Sequence, residues 1–532
     1  MSRPSVAAAL AVTVLFVDAA CGVSQKPPAS GHAGSLAARH LQEFRSHDNP
    51  IDDPGSPGER RAIEYARTYL QSLGLRTSVQ SVPLTAMIPT ASTVQIHGPK
   101  GDITATPAGE GFIVWPGRQS EQVSLDADIV FAGYGIVSPE YQRNDYKGLD
   151  LSGKCVLVLE GSPKSGTRDD LGVLGETYYG TTSYKFAEAA RHHAAAILII
   201  HAAGVEAWSE LRESAMGSVL DIDARAMSGK RQPRAPVEGW LARPAADVVL
   251  GLAGLEHDTL FEQARQLSFH PVDLPGVRVT VEMTSRLESF TSQDVLAYLP
   301  GRSPEYVMLA GRWNRIDPAA WAHTFAAASA PDDDGSGAVM VLETARRIVT
   351  ERQQPDRGVM FMVATALKPG IVGLEYFRNH PPDGLSVEHM NALIFFDRGE
   401  LSGARPRAGK IGTGSDAALA QIARQAAIEQ GRLIELDADP LRRFYYSLGQ
   451  SELARDGARM IYLTTRPEQT SAGRALRHVA QRDAVGRPDA TAPAAAAADP
   501  SADASLLATI TLRVANATNW PPRREPWRPP SR

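Results

Sequence analysis

Phe361-Met-Val-Ala-Thr-Ala-Leu-Lys-Pro-Gly-Ile-Val-Gly-Leu-Glu-Tyr-Phe377 is the stretch whose reading settles the fold. It continues an apolar run that starts at Gly358 and ends at Ala364, with no alternation of polar residues. Such a run is the pattern of a strand buried on both faces. Pro369-Gly370 breaks it, and residues 370–378 then carry apolar positions at helical spacing. Further out, Glu305-Tyr-Val-Met-Leu-Ala310, Ala392-Leu-Ile-Phe-Phe396 and Arg459-Met-Ile-Tyr-Leu463 repeat the buried-strand pattern. Helical patterns at 338–350 and 416–430 lie between them. Strands alternating with helices predict an α/β fold, a mostly parallel sheet flanked by helices on both faces. Ligand sites then fall beyond the carboxyl ends of the strands.

The quoted stretch resembles the strand-to-loop segment of the co-catalytic di-zinc aminopeptidases, which runs Thr-Ala-Glu-Glu-x-Gly-x-x-Gly-Ser-x-x-Tyr. In that superfamily the first Glu is the general base for the metal-bound water and the second ligates zinc. Here Leu367 and Lys368 stand at the two positions. Leucine cannot move a proton, and a protonated lysine cannot ligate a metal.

The resemblance implies five zinc ligands in a fixed chain order, one Asp bridging both ions. Glu305 to Arg315 aligns without gaps to the first strand, placing Arg312 at the ligand His and Asn314 at the Asp that orients it. Asp333-Asp-Gly-Ser-Gly337 keeps the bridging Asp, twenty-one residues on. Lys368 replaces the ligand Glu, Asp397 keeps the fourth ligand at the end of a strand, and His478 is the candidate for the last. Asp333, Asp397 and His478 are therefore remnant metal-site positions. Arg312, Asn314, Leu367 and Lys368 are substituted ones. Taken singly, Asp333 reads equally as a helix cap, Asp397 as a polar strand end and His478 as a surface histidine. Gly449 and Gln450 stand where the superfamily carries a further Asp and His. No Gly-x-Ser-x-Gly elbow, His-Glu-x-x-His or Gly-x-Gly-x-x-Gly offers replacement chemistry.

A second unit interrupts the first. Asp128 to Tyr141, Asp145 to Asp150 and Gly153-Lys-Cys-Val-Leu-Val-Leu159, followed by a helix and strand over 184–200, resemble the β-rich protease-associated domain that such peptidases carry as an insert. Residues 87–287 are read as this insert, and 37–86 with 288–518 as the peptidase-like domain. His192-His193 is read as a solvated pair complementing a helix end, and Cys155 as a buried structural thiol. The Ala/Pro/Asp run 488–504 is expected to be disordered, and 519–532 to be a Pro/Arg-rich tail.

Residues 1–20 read as a signal peptide: Arg3, then an apolar run from Val6 to Val17 too short to span a bilayer. Ala19-Ala20-Cys21 resembles a lipoprotein cleavage site, with Asp18 departing from the apolar residue expected there. Lipidation at Cys21, with membrane attachment, and plain cleavage both stay open. Either places the chain in the periplasm or cell envelope. Residues 21–36 read as a tether. A net charge of −5 without large blocks gives no reason to expect nucleic acid.

Two readings follow. In the first the chain is a pseudo-peptidase that binds no metal and acts on peptides or a protein partner by binding. The resemblance supplies a precedent in transferrin receptor ectodomains, which keep the architecture without the chemistry. In the second it is an active zinc aminopeptidase recruiting other ligands, such as His323.

Overall fold

A computed structural model describes residues 36–45, 55–105, 111–163, 179–201, 208, 211–212, 219–227, 232–313, 335–351, 354–365, 371–397, 408–411, 416–436, 453, 456–464 and 501–521. Helices α1 (Leu36–Arg45) and α2 (Pro57–Ser72) open it. Helix α2 starts where the sequence dictates: the Ser56 hydroxyl accepts from the Glu59 N–H at 3.0 Å, and Pro57 occupies the first turn. Ala62, Ile63, Ala66 and Leu70 form its buried stripe.

The chain then enters β1 (Arg76–Gly98), β2 (Gly101–Ala105), β3 (Phe112–Pro116), β4 (Gln122–Phe131), the short β5 (Val137–Ser138) and β6 (Arg143–Asn144), and β7 (Cys155–Leu159). Helix α3 (Thr182–Arg191) leads to β8 (Ala196–His201), β9 (Val219–Ile222) and β10 (Val237–Ala242). Helices α4 (Arg243–Leu252) and α5 (His257–Ala264) precede β11 (Val272–Leu299) and β12 (Ser303–Arg312). After α6 (Ser336–Thr350) come β13 (Arg357–Ala364), α7 (Val372–Asn379), β14 (Met390–Phe396) and β15 (Ala408–Ile411). Helix α8 (Ala417–Glu429), β16 (Leu433–Leu436), β17 (Arg459–Thr464) and α9 (Ser501–Ala515) complete the described chain.

Among the described residues one sheet runs in the order β16-β15-β17-β14-β12-β13-β11-β4-β7-β8-β10-β3, with β1, β2 and β9 joined beside β11. Within the block β13-β12-β14-β17 every pairing is parallel, so Ala310, Ala364 and Phe396 lie in strands of one sheet. Alternate residues face opposite layers. Val307, Leu309, Phe361, Ile394 and Ile461 pack under α1, α2, α6, α8 and α9. Met308, Ala310, Met362, Phe395 and Tyr462 pack toward α7. Burial on both faces is why these strands read as continuous apolar runs.

From β12 to β17 the sheet is mostly parallel, as expected from the sequence, while pairings at the margins of this block run the other way. β11 pairs antiparallel with β13, β4 and β1, and β15 with β17, so the sheet is mixed. The cause is a feature the sequence hid. β1 and β11 form one long antiparallel ribbon, in which Ala86 faces Glu288 and Met87 faces Leu287. The two points read as the ends of the insert therefore lie opposite each other in mid-strand, where the ribbon passes from one core to the other. Val82, Leu84, Ile222, Met227 and Val372 fill a small apolar cluster at that passage. Beyond it, β4, β7, β8 and β10 form a parallel block with its own two apolar layers.

Three smaller expectations change. Helix α9 begins at Ser501, inside the run read as disordered, because Asp503 pairs with Arg432 in a buried site and Ala504 packs into the core. Trp520, assigned to the tail, packs against the same core. His192 is not solvated: its ring stacks on Tyr146 at 4.4 Å and its Nε2 lies 3.4 Å from Glu188 Oε1, while His193 is the exposed member. Cys155 is buried as expected, and burial pushes its thiol up to about 12.

Candidate functional site

Strand β12 ends at Arg312 and β14 runs into Asp397, two positions the sequence singled out. Their side chains meet: Arg312 Nε donates to Asp397 Oδ1 at 2.6 Å, and each side chain is only 4% exposed. The Tyr462 hydroxyl, from β17, donates to Asp397 Oδ2 at 2.6 Å. Phe395 and Tyr462 stand side by side in the parallel pairing of β14 with β17, which aims the phenol at the carboxylate. Sequence reasoning missed Tyr462. The available signal was a tyrosine in an otherwise aliphatic buried strand, where its hydroxyl must find a partner.

Helix α6 delivers its amino end to the same place. Gly335 begins it with φ 71°, a conformation that favours glycine. A Cβ on Gly337 would lie 2.7 Å from the Asp397 carbonyl oxygen, 2.8 Å from that of Phe396 and 3.3 Å from the Arg312 nitrogen. The Ser336-Gly337 end of the Asp-x-x-Ser-Gly pattern thus sits against the Arg312–Asp397 strand ends. Gly337→Ala is expected to destabilise the protein by roughly 1–3 kcal/mol, the usual cost of overpacking against backbone, and thermal melting checks it. A melting temperature equal to that of the parent would contradict this packing.

Asp333, Asn314, Leu367, Lys368, His478 and Cys21 lie outside the described residues, as do Gly449, Gln450 and His323. The frame of the Leu367-Lys368 loop is nevertheless placed on both sides. Before it, the Thr365 N–H donates to Asp294 Oδ1 at 2.7 Å, and Thr365 Oγ1 lies 2.7 Å from Ser292 Oγ. After it, the Gly373 N–H returns to the Thr365 carbonyl at 3.1 Å. Ser292 also donates to Glu59 Oε1 at 2.6 Å, joining the start of α2 to this network. Asp294 Oδ2 is buried without a partner among the described residues, and a Cβ on Gly373 would lie 2.2 Å from Oδ1.

Burial pushes the Asp294 carboxyl well above the usual range, and the Glu59 carboxylate nearby adds to the effect. Burial likewise raises Glu59. Sequence reasoning missed both acids. Asp294 was legible as an acid heading the apolar run Val295-Leu-Ala297, and Glu59 as the fourth residue of a Ser56-x-x-Glu pattern. An acid with a raised folded pKa binds more protons folded than unfolded, so stability falls as pH climbs above the unfolded value of ~3.9. Asp294→Asn, which has no proton to lose, is expected to be more stable than the parent at about pH 8 by roughly 1–3 kcal/mol, the cost of an unsatisfied buried polar group. The gain should shrink as pH approaches about 4. Denaturant melts at several pH values check this, and a constant difference would contradict it.

The described geometry at Asp397 does not fit a metal ion. Both carboxylate oxygens already hold a donor, and one donor is a buried cation. A cation ~4 Å from a divalent ion at an effective dielectric of ~20 costs about 8 kcal/mol. Among the described residues no group of three or more His, Cys, Asp or Glu side chains is arranged to hold a metal. What the arrangement does provide is charge balance, a buried guanidinium against a buried carboxylate.

Residues 294–490 match the profile of peptidase family M28, a stretch containing all seven remnant and substituted positions. The chain is similar in structure to an aminopeptidase from Aneurinibacillus sp. strain AM-1, with a TM-score of 0.50 and 14% identity over 92% of this chain and 95% of that one. It also matches a peptidase M28 precursor from Shewanella amazonensis SB2B, with a TM-score of 0.40 and 15% identity over 94% and 96% of the two chains. BSAP, a zinc aminopeptidase from Bacillus subtilis, matches with a TM-score of 0.37 and 15% identity over 80% and 84%. The chain thus resembles peptidase family M28 over residues 294–490 and is built on the mixed α/β fold of the zinc aminopeptidases.

Proposed function

We propose that this chain is a pseudo-peptidase: an M28-type scaffold whose metal site is closed by an internal ion pair, acting by binding peptides or a protein partner. One observation carries the reading, the buried Arg312–Asp397–Tyr462 cluster. It satisfies at a strand end the acid that a zinc ion would otherwise claim. Leu367 and Lys368 at the positions of the base and a ligand support the same conclusion from the sequence. Peptides suit this scaffold as ligands because open α/β sheets take ligands beyond the carboxyl ends of their strands.

The amino-terminal targeting pattern supports action outside the cytoplasm, in the periplasm or at the cell envelope, with Cys21 as the candidate attachment point. No helix among the described residues is long and apolar enough to cross a membrane.

The test is hydrolysis of a panel of aminoacyl p-nitroanilides and short peptides by purified protein, with and without added zinc. No turnover above a matched blank is expected. Zinc-dependent turnover that a chelator abolishes would establish the active aminopeptidase instead.

A further inference from the structure

We propose a second binding site, in the inserted half of the molecule, for a small carboxylate. Its frame is the carboxyl end of the parallel block. Leu159 of β7 stands beside Ile200 of β8, and His201 of β8 beside Ala242 of β10, so Glu160 and His201 emerge together at the end of neighbouring strands. Crevices at such strand ends are where parallel α/β sheets take ligands.

His201 Nδ1 lies 2.9 Å from Glu160 Oε2. A carboxylate accepts only, so Nδ1 carries the proton and the ring is held in one orientation. Its other nitrogen, Nε2, is buried and has no partner among the described residues. Two indole rings flank the imidazole, Trp208 at 5.8 Å and Trp240 at 5.7 Å between centroids. Both are over nine-tenths buried, and the Nε1 of each also lacks a partner among the described residues. Arg212, four residues beyond Trp208, has a buried Nε in the same condition.

Buried polar groups are satisfied in nearly every native structure, so an orphaned imidazole nitrogen flanked by two rings with orphaned indole N–H groups implies an occupant. Indole and guanidinium N–H groups only donate. The occupant therefore offers acceptors, and it is small and flat enough to sit among aromatic faces. A carboxyl group meets these demands. Taken up as the neutral acid, it passes its proton to His201 Nε2 and remains as a carboxylate, so the net buried charge does not change. Nε2 then donates alongside the indoles. Glu160 is 36% exposed at its side chain, which leaves the dyad a route to solvent. Neither Arg312 nor Asp397 takes part, so this site stands or falls independently of the pseudo-peptidase reading.

Isothermal titration of the full chain with sodium benzoate, with benzamide as the uncharged counterpart, tests the proposal. Saturable benzoate binding is expected, with benzamide weaker by about tenfold or more, the worth of ~1.4 kcal/mol in charge-assisted hydrogen bonding. Trp240→Phe and His201→Gln should each weaken benzoate by about the same factor. Trp208→Phe keeps an aromatic ring while removing the donor, and serves if either other variant melts early. No saturable heat, or binding unchanged in all the folded variants, would overturn the proposal and leave these nitrogens to buried water alone.

Discussion

Installing histidine at 312 and glutamate at 368 together (Arg312→His, Lys368→Glu) is expected to confer zinc binding on the chain while leaving turnover very slow. The first change removes the cation from Asp397, and the second supplies a carboxylate in place of an ammonium. Each deletes a repulsion of several kcal/mol toward a divalent ion and adds a donor of the right type. Adding Leu367→Glu should then raise the hydrolysis rate by ~10²–10⁴-fold, the usual worth of a positioned general base. Asn314→Asp, which would orient the new histidine, should tighten metal binding by about 10–100-fold. Zinc titration followed by peptide turnover checks the series in order. If the triple variant binds zinc no better than the parent, the remnant-site account fails.

The second large effect concerns stability. Arg312→Ala removes the guanidinium donor from the buried Asp397 carboxylate, and Asp397→Ala leaves a buried guanidinium without that counter-ion. Each should cost roughly 3–5 kcal/mol, because a buried charge that loses its partner keeps its desolvation penalty. Arg312→Met combined with Asp397→Leu, which removes both charges at similar volume, should recover most of that loss. Denaturant unfolding of the two single variants and the double variant checks this. Additive losses in the double variant would mean that the pair is not the internal counter-ion arrangement described here.

The parts of this fold that were legible in the sequence are those where burial on both faces wrote continuous apolar runs. β12, β13, β14 and β17 were readable for that reason, and so were the helices between them. The β1–β11 ribbon was not. Its residues alternate irregularly between exposed and buried, and it passes between two cores, so neither strand carries a clean period. At the site, the family resemblance singled out Arg312 and Asp397, and their meeting fits the demand of an acid at a buried strand end for a counter-charge. Tyr462, Asp294 and Glu59 escaped because each is one polar residue within an apolar or helical pattern, and only the register of neighbouring strands shows what it must satisfy.

Metal content of the purified, unmodified protein tests the central claim most directly. Protein passed over a desalting column after exposure to excess zinc, then analysed by elemental mass spectrometry, should hold well below one zinc ion per chain, and Asp397→Ala should not change that figure. Stoichiometric zinc in the parent protein, lost on Asp397→Ala, would contradict the closed ion-pair site and with it the pseudo-peptidase.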